Sequence, residues 1–313
     1  MLYSPSHLHI PDGFLTLAVS LIFWVITIIM VSLAVAKTNR TLGEKQIPLM
    51  GVMAAFIFAA QMLNFPVAGG TSGHFLGGSL AAIVLGPWAS ILVMTAVVGV
   101  QALLFQDGGL LVMGANIFNM GILTAVIGFG LYRIVIHQKK AVRIAVAGAA
   151  AWIATMAAAL VASLQLWLSG TTRLEIVIPA MLGVHALIGI GEAVVTMAAL
   201  ASLEQTRPDL LTGEKVEKEG GRGWIFSGVI FALLAVLISP LASGNPDGLE
   251  RVAGDLGFLS KGLNAPFQVL PDYSIPFLGE TALSTITAGI IGALFVLGLI
   301  ILIGRNISRR NNA

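Results

Sequence analysis

Charge is what this sequence has least of. Asp, Glu, Lys and Arg make up only 10% of its 313 residues, against about 25% in a soluble globular domain. That is too little to coat a surface facing water. Cysteine is absent, which excludes disulfides, thiolate metal sites and cysteine nucleophiles. No G-x-x-x-x-G-K-[ST] run occurs, and the Gly-Glu-Lys triplets at Gly43 and Gly213 lack the glycine-rich approach of a phosphate loop. No H-E-x-x-H zinc-protease motif occurs, and no glycine-rich dinucleotide turn follows a strand pattern. The 17 basic and 15 acidic residues sit in short stretches between apolar runs, so the net charge of +2 carries no nucleic-acid signal.

What is there is apolar. Hydrophobic residues reach 57% and the mean hydropathy is +0.94, so the chain is read as an all-α polytopic membrane bundle. Long apolar runs cover 15–36, 47–63, 88–105, 110–136, 141–168, 176–203, 224–241 and 284–303, and a short one, 75–85, stops at Gly86-Pro87. Each long run is near the roughly 20 residues needed for one crossing. If the short run also crosses, there are nine spans, seven plus two, with the N-terminus outside and the C-terminus in the cytosol. Fourteen basic residues then lie inside and three, Arg173, Arg251 and Lys261, outside, as the positive-inside rule requires. The predicted organisation is a membrane domain over 1–203, a polar cytosolic linker over 204–223, and a two-span part over 224–313 with an outer loop at 242–279. Pro11-Asp12-Gly13 precedes the first run and no basic stretch does, unlike a cleaved signal peptide.

Three of the five histidines, His7, His9 and His74, fall on the outer side in this topology. Imidazole is a common ligand for nickel, cobalt, copper and zinc, so two separated segments bringing histidines to one face suggest a metal trap. Interfacial histidines that merely bond to water and headgroups are the alternative.

Several ordered motifs carry a family resemblance: His9-Ile10-Pro11-Asp12-Gly13-Phe14, Gly70-Thr71-Ser72-Gly73-His74, Phe105-Gln106-Asp107-Gly108-Gly109, the run from Gly114 to Gly121, and the run from His185 to Glu192. They resemble the CbiM/NikM substrate-specific components of cobalt and nickel energy-coupling factor (ECF) transporters. Asn245-Pro246-Asp247-Gly248-Leu249-Glu250 resembles the small CbiN/NikN (PDGLE) component, here fused behind the first. The resemblance implies an importer component of the prokaryotic inner membrane and not an enzyme. Its implied partners are a membrane coupling subunit of CbiQ/NikQ type and cytosolic ATPases of CbiO/NikO type, and it implies no organic cofactor. Nickel(II) or cobalt(II) would be cargo, held by four nitrogens in a plane. The implied donors are the imidazoles of His9 and His74, the His9 amide nitrogen and a terminal amine. Leu8 stands where the family has its initiator methionine, so either the mature chain starts at position 8, with its amine as donor, or His7 supplies the fourth nitrogen. The competing reading is a self-contained proton-coupled metal transporter with His185 and Glu192 as its relay.

Other polar residues carry smaller expectations. Asp12 either orients a ligand imidazole or caps the first helix. Asp107 belongs to a family motif beside the site. Asn116 and Asn119, three apart inside an apolar run, are expected to bond to the loops that hold the ion. His185 and Glu192, seven apart on one helix face, are expected to form a buried network. Gly51, Ala55 and Ala59 offer a small-residue face, read either as docking for the coupling subunit or as packing within the chain. The outer loop carries a net charge of −3 from Asp247, Glu250, Asp255, Asp272 and Glu280 against Arg251 and Lys261, read either as electrostatic attraction of cations or as ordinary loop solvation. N-terminal mass spectrometry on natively produced, metal-binding protein tests the fourth donor. A chain starting at position 8 supports the amine, and one retaining Met1-Leu2-Tyr3 turns the expectation to His7.

Overall fold

In a computed structural model the described residues are 9–41, 46–207, 211 and 223–309. The apolar runs become helices close to where composition puts them: α1 Leu17–Thr41, α2 Gln46–Gln61, α4 Pro87–Val100, α5 Met113–Ile117, α6 Thr124–Ile134, α7 Lys140–Leu168, α8 Leu174–Thr206, α9 Gly223–Ile238 and α11 Ala282–Arg309. The short run gives α3 Gly78–Leu85, and α10 Gly248–Asp255 lies in the loop between α9 and α11. A two-stranded hairpin, β1 Phe65–Val67 and β2 Thr71–Gly73, pairs Pro66 with Ser72. Its turn runs through Gly69 and Gly70, both at positive φ (77° and 69°), where a side chain would be strained.

Six helices among the described residues are long and apolar enough to cross a membrane, and the protein is a multi-pass helical membrane protein. The helices Gln46–Gln61 and Gly228–Leu241 are apolar but shorter. With eight residues, α3 is only about 12 Å long. If it crosses, it does so together with the β1–β2 hairpin, of which β2 is buried while β1 and the turn through Gly69 and Gly70 are partly exposed. On α1, Leu21, Ile22, Val25, Ile28 and Ile29 are each more than half exposed, a lipid-facing stripe. Its other side packs on α5 and the turn before it, where Thr27 Oγ1 donates to the Gly114 carbonyl (2.7 Å) and Trp24 Nε1 to that of Leu111 (2.8 Å).

The C-terminal helices close on α2. A Cβ at Gly51 would sit 3.0 Å from Ile301 of α11, and one at Gly304 would sit 3.0 Å from Ile47. Ala55 (4% exposed) and Ala59 (0%) are buried as well. Of the two readings of this small-residue face, packing within the chain is the one seen at Gly51, where the absence of side-chain bulk lets α11 approach.

Two π-helical turns interrupt the regular helices, Gln101–Phe105 after α4 and Phe118–Leu123 between α5 and α6. Such turns are rare and gather at functional sites. The first ends at Gln106, with φ of 57°, and delivers Asp107 to the site. The second carries Asn119.

Candidate metal-capture site

The chain at His9–Asp12 is threaded into the protein rather than laid on its surface; His9 (2% exposed), Ile10 (4%) and Asp12 (8%) are all buried. A buried backbone must find partners for its N–H and C=O groups. Asn116 meets both at Ile10: the Ile10 N–H donates to Asn116 Oδ1 (3.1 Å), and Asn116 Nδ2 donates back to the Ile10 carbonyl (3.0 Å). The Gly109 N–H also donates to that carbonyl (3.0 Å). Asp12 does neither of the things predicted for it. Its carboxylate accepts the N–H groups of Leu110 (3.0 Å), Leu111 (2.9 Å) and Val112 (3.2 Å), capping the turn that leads into α5. Its carboxylate thus serves a distant stretch of chain and not the start of α1. Gly108 and Gly109 permit this approach. A Cβ at Gly108 would lie 2.8 Å from that of His9, and one at Gly109 would collide with Asp12.

Orienting the imidazole falls to Asp107. His9 Nδ1 lies 3.2 Å from the Asp107 carbonyl oxygen and 3.4 Å from its Oδ1. Both are acceptors, so Nδ1 carries the hydrogen. Nε2 then keeps its lone pair, and it is buried with no hydrogen-bond partner among the described residues. The His74 ring stands edge-on to it, with centroids 5.6 Å apart at 81°. A chelate using the amide nitrogen and imidazole of one histidine closes through Nδ1. The four-nitrogen set implied by the resemblance would therefore need the His9 ring to leave Asp107, whereas Nε2 is available where it stands.

His74 is placed by the β2–α3 turn, and Glu192 holds that turn. The α3 N-terminus has orphan N–H donors. From α8, Glu192 Oε2 accepts the Leu76 N–H (2.6 Å) and Oε1 that of Gly77 (3.0 Å). The expected network between His185 and Glu192 is replaced by two separate tasks. His185 Nδ1 donates to the Met181 carbonyl one turn back (2.8 Å), and its ring faces a cavity of about 70 Å³ shared with His9, His74, Asn116 and Asp247. Asn119 bonds to no loop. It exchanges two amide hydrogen bonds with Gln165 of α7 (2.8 and 3.0 Å), a pairing that only the tertiary fold reveals. His7 and Leu8, the remaining predicted donors, lie outside the described residues. Among the described residues no group of three or more His, Asp or Glu is arranged to hold a metal ion.

The loop between α9 and α11 roofs this cavity. Ser72 donates through its N–H to the Pro246 carbonyl and through its hydroxyl to that of Asn245, both at 2.8 Å. Asp247 Oδ1 caps α10 by accepting the Glu250 N–H (2.7 Å). Burial pushes the Asp247 carboxyl up to about 7, against the opposing pull of that bond. The predicted acidic surface is therefore partly internal, and Arg251 answers Asp255 at 2.9 Å. Farther along, the Leu263 N–H donates to the Asp12 carbonyl (2.7 Å), and the Tyr273 hydroxyl donates to Asp107 Oδ2 (2.6 Å). Reading the sequence missed Gln165 and Tyr273. Neither sits in a recognisable motif, and a tyrosine in a polar loop gives no signal of its own.

Apolar spanning helices around a small cavity, with a few histidines, amides and a carboxylate set among mostly apolar walls, fit the class of membrane transport proteins. The chain belongs to the family whose model, described as cobalt uptake substrate-specific transmembrane region, matches residues 9–210. A PDGLE domain matches residues 222–309. The chain is 37% identical over 300 residues to a putative fused nickel transport protein NikMN of Archaeoglobus fulgidus, covering 93% of this chain and 96% of that one. It is 43% identical over 208 residues to a putative metal transport protein of Haloquadratum walsbyi, covering 65% and 93%. A solved structure of a truncated transition metal transporter superposes with a TM-score of 0.58 at 32% identity, over 63% of this chain and 98% of that one. These are metal transport proteins rather than enzymes.

The Glu192 geometry gives a test that separates a structural role from a relay. Glu192→Gln leaves one oxygen for two N–H donors and turns an NH₂ group on the other, a cost of about 1–3 kcal/mol for the unsatisfied donor. The expected outcome is a lower unfolding temperature in detergent together with weaker metal binding, since the same turn carries His74. Unchanged thermal stability with loss of proton-driven uptake would instead support the relay.

Proposed function

We propose that this chain is the substrate-capturing component of an ECF-type importer, taking nickel(II) or cobalt(II) at the outer face for uptake powered by partner ATPases. The observation that carries this reading is the pair of adjacent imidazoles, His9 and His74, with the His9 Nε2 buried and unpartnered among the described residues at the wall of a small cavity. Leaving a polar nitrogen so costs roughly 1–3 kcal/mol, which a divalent cation that favours imidazole ligands would recover. The family membership and the nickel named for the Archaeoglobus relative support the same cargo. In this reading the chain makes nine crossings, α3 and its hairpin counting as one, with His9, His74 and the loop 242–279 outside. Residues 1–203 form the capturing domain, 204–223 the cytosolic linker and 224–313 the CbiN/NikN-like part. The remaining donors are the His9 amide nitrogen and either an amine at position 8 or the His7 imidazole, as the resemblance implies. The energy comes from a coupling subunit of CbiQ/NikQ type with CbiO/NikO-type ATPases, since the sequence has no phosphate loop of its own.

Calorimetric titration of purified protein should give about one nickel or cobalt ion per chain. His74→Ala should weaken binding beyond the ~10–100-fold typical of losing an outer-shell partner. Unchanged affinity in that variant would put the site elsewhere. Vesicles holding this chain alone should show no concentrative nickel uptake, and co-reconstitution with the coupling subunit and ATPases should restore it in the presence of ATP. Proton-driven uptake by the chain alone would favour the self-contained transporter.

A further inference from the structure

The chain between α9 and α11 leaves two large apolar side chains almost bare. Leu241 is 84% exposed and Phe277 85%, the highest values among the described large hydrophobic residues. Neither is loosely placed. Leu241 ends the 3₁₀ turn Ser239–Leu241, which continues α9 and packs on α11. Phe277 sits in the 3₁₀ turn Pro276–Leu278, and that turn is clasped to the start of α11. The Ile275 N–H donates to Ser284 Oγ (2.6 Å), and the Ser284 hydroxyl donates back to the Ile275 carbonyl (3.4 Å). An antiparallel bridge joins Ile275 to Gly279, and the Ile275 side chain is buried. With its turn closed in this way, Phe277 keeps its level relative to α11.

That level is set by the bilayer. The crossing segment of α11, Ala282–Ser308, has 27 residues, about 40 Å at the helical rise, which matches a bilayer together with its headgroup layers. The first turn of α11 therefore lies among headgroups, and the clasped turn of Phe277 lies beside it. Aromatic residues gather at this depth in membrane proteins. Both bare residues also continue rows that face lipid. Along α9 the exposed residues Phe226, Ile230, Leu234 and Leu237 recur at helical spacing, and Leu241 is next in that row. Along α11 a similar row of exposed residues begins at Leu283. The sequence around Phe277 suits the same surroundings, since 262–271 and 273–279 carry no charged side chain.

We propose that Phe277, Leu241 and Leu283 form an interfacial anchor that holds the end of this loop in the phospholipid bilayer, at the boundary between headgroups and acyl chains. The occupant of this face is lipid, because the face is continuous with two lipid-facing rows and fixed at the depth where they end. The inference goes beyond cation capture and is independent of which ion the chain carries. It divides the loop in two: the stretch around α10 packs on protein, whereas the stretch before α11 rests on the membrane.

Because the chain has no cysteine of its own, a single introduced thiol can carry a fluorescent label. Phe277→Cys, Leu241→Cys and Gly254→Cys variants of the full chain are labelled with bimane and placed in nanodiscs of phosphatidylcholine and phosphatidylglycerol. Gly254, on α10 with open space around it, serves as the reference. Labels at 277 and 241 should lose most of their emission to phosphatidylcholine carrying a nitroxide near the headgroup end of its acyl chain. They should lose less to a nitroxide near the methyl end, and little to aqueous iodide. The label at 254 should respond the other way, to iodide and not to lipid. Iodide quenching at 277 as strong as at 254 would overturn the proposal, and so would equal lipid quenching at the two positions. Shielding at 277 from both quenchers would also overturn it, and would mean that a second copy of the chain covers this face. If the label at 277 disturbs the turn, Phe277→Trp in brominated phosphatidylcholine decides instead. Its emission beyond that of the five native tryptophans should be quenched by the brominated lipid, and unquenched extra emission overturns the proposal.

Discussion

The structure depends on one constraint, that a peptide backbone drawn into a water-poor interior must have every polar group met. The segment from His9 to Asp12 is drawn in that way, and its surroundings are built to receive it. Asn116 answers both sides of the Ile10 peptide, Gly109 adds a donor, and Asp12 repays the arrangement by capping the turn before α5. The exchange is reciprocal. The same bonds that seat the N-terminal segment also shape the 105–113 loop, so neither can be understood as a rigid platform for the other. Asp107 comes into place as a consequence, because Gly108 and Gly109 allow that loop to lie directly against His9.

His74 is fixed by a different device with the same logic. A short helix entering from a hairpin leaves donors exposed at its start, and a carboxylate from α8 takes two of them. A charge within a membrane-spanning segment is costly, and here the return is a fixed turn immediately after a candidate ligand. The two histidines thus reach the cavity from separate segments, each held by a carboxylate that never faces the other. Their relative placement rests on α4, α5, α7 and α8 together rather than on local sequence.

The helices were legible in the sequence because hydrophobic length is set by the bilayer, and the eight long runs match helices to within a few residues. The His9 and His74 segments were legible because a resemblance carried them. Roles were harder. Asp12 looked like an imidazole partner or a cap for α1, yet hydrogen-bonding capacity does not state an address, and its partners lie some hundred residues away. Glu192 and His185 looked like a pair because helical spacing aligned them, but lateral neighbours on α3 and in the cavity decided what each one touched. Gly51, Ala55 and Ala59 signalled close approach correctly without saying to whom. Gln165 and Tyr273 offered no pattern, since their significance comes from the partner and not from the neighbourhood in sequence.

The roof over the cavity is attached through several modest contacts: Ser72 to Asn245 and Pro246, Leu263 to Asp12, Tyr273 to Asp107. Each such bond contributes only about 0.5–1.5 kcal/mol net, and apolar burial adds to them: Leu249, Val252 and Phe258 lie in one buried cluster with Ile10, Phe14, Val177 and Met181. Covalent fusion adds a further advantage, because both ends of the loop are anchored by helices packed on α2 and the loop meets its site at an effective concentration set by the tether. The entropy of finding that seat is met once, when the chain is made.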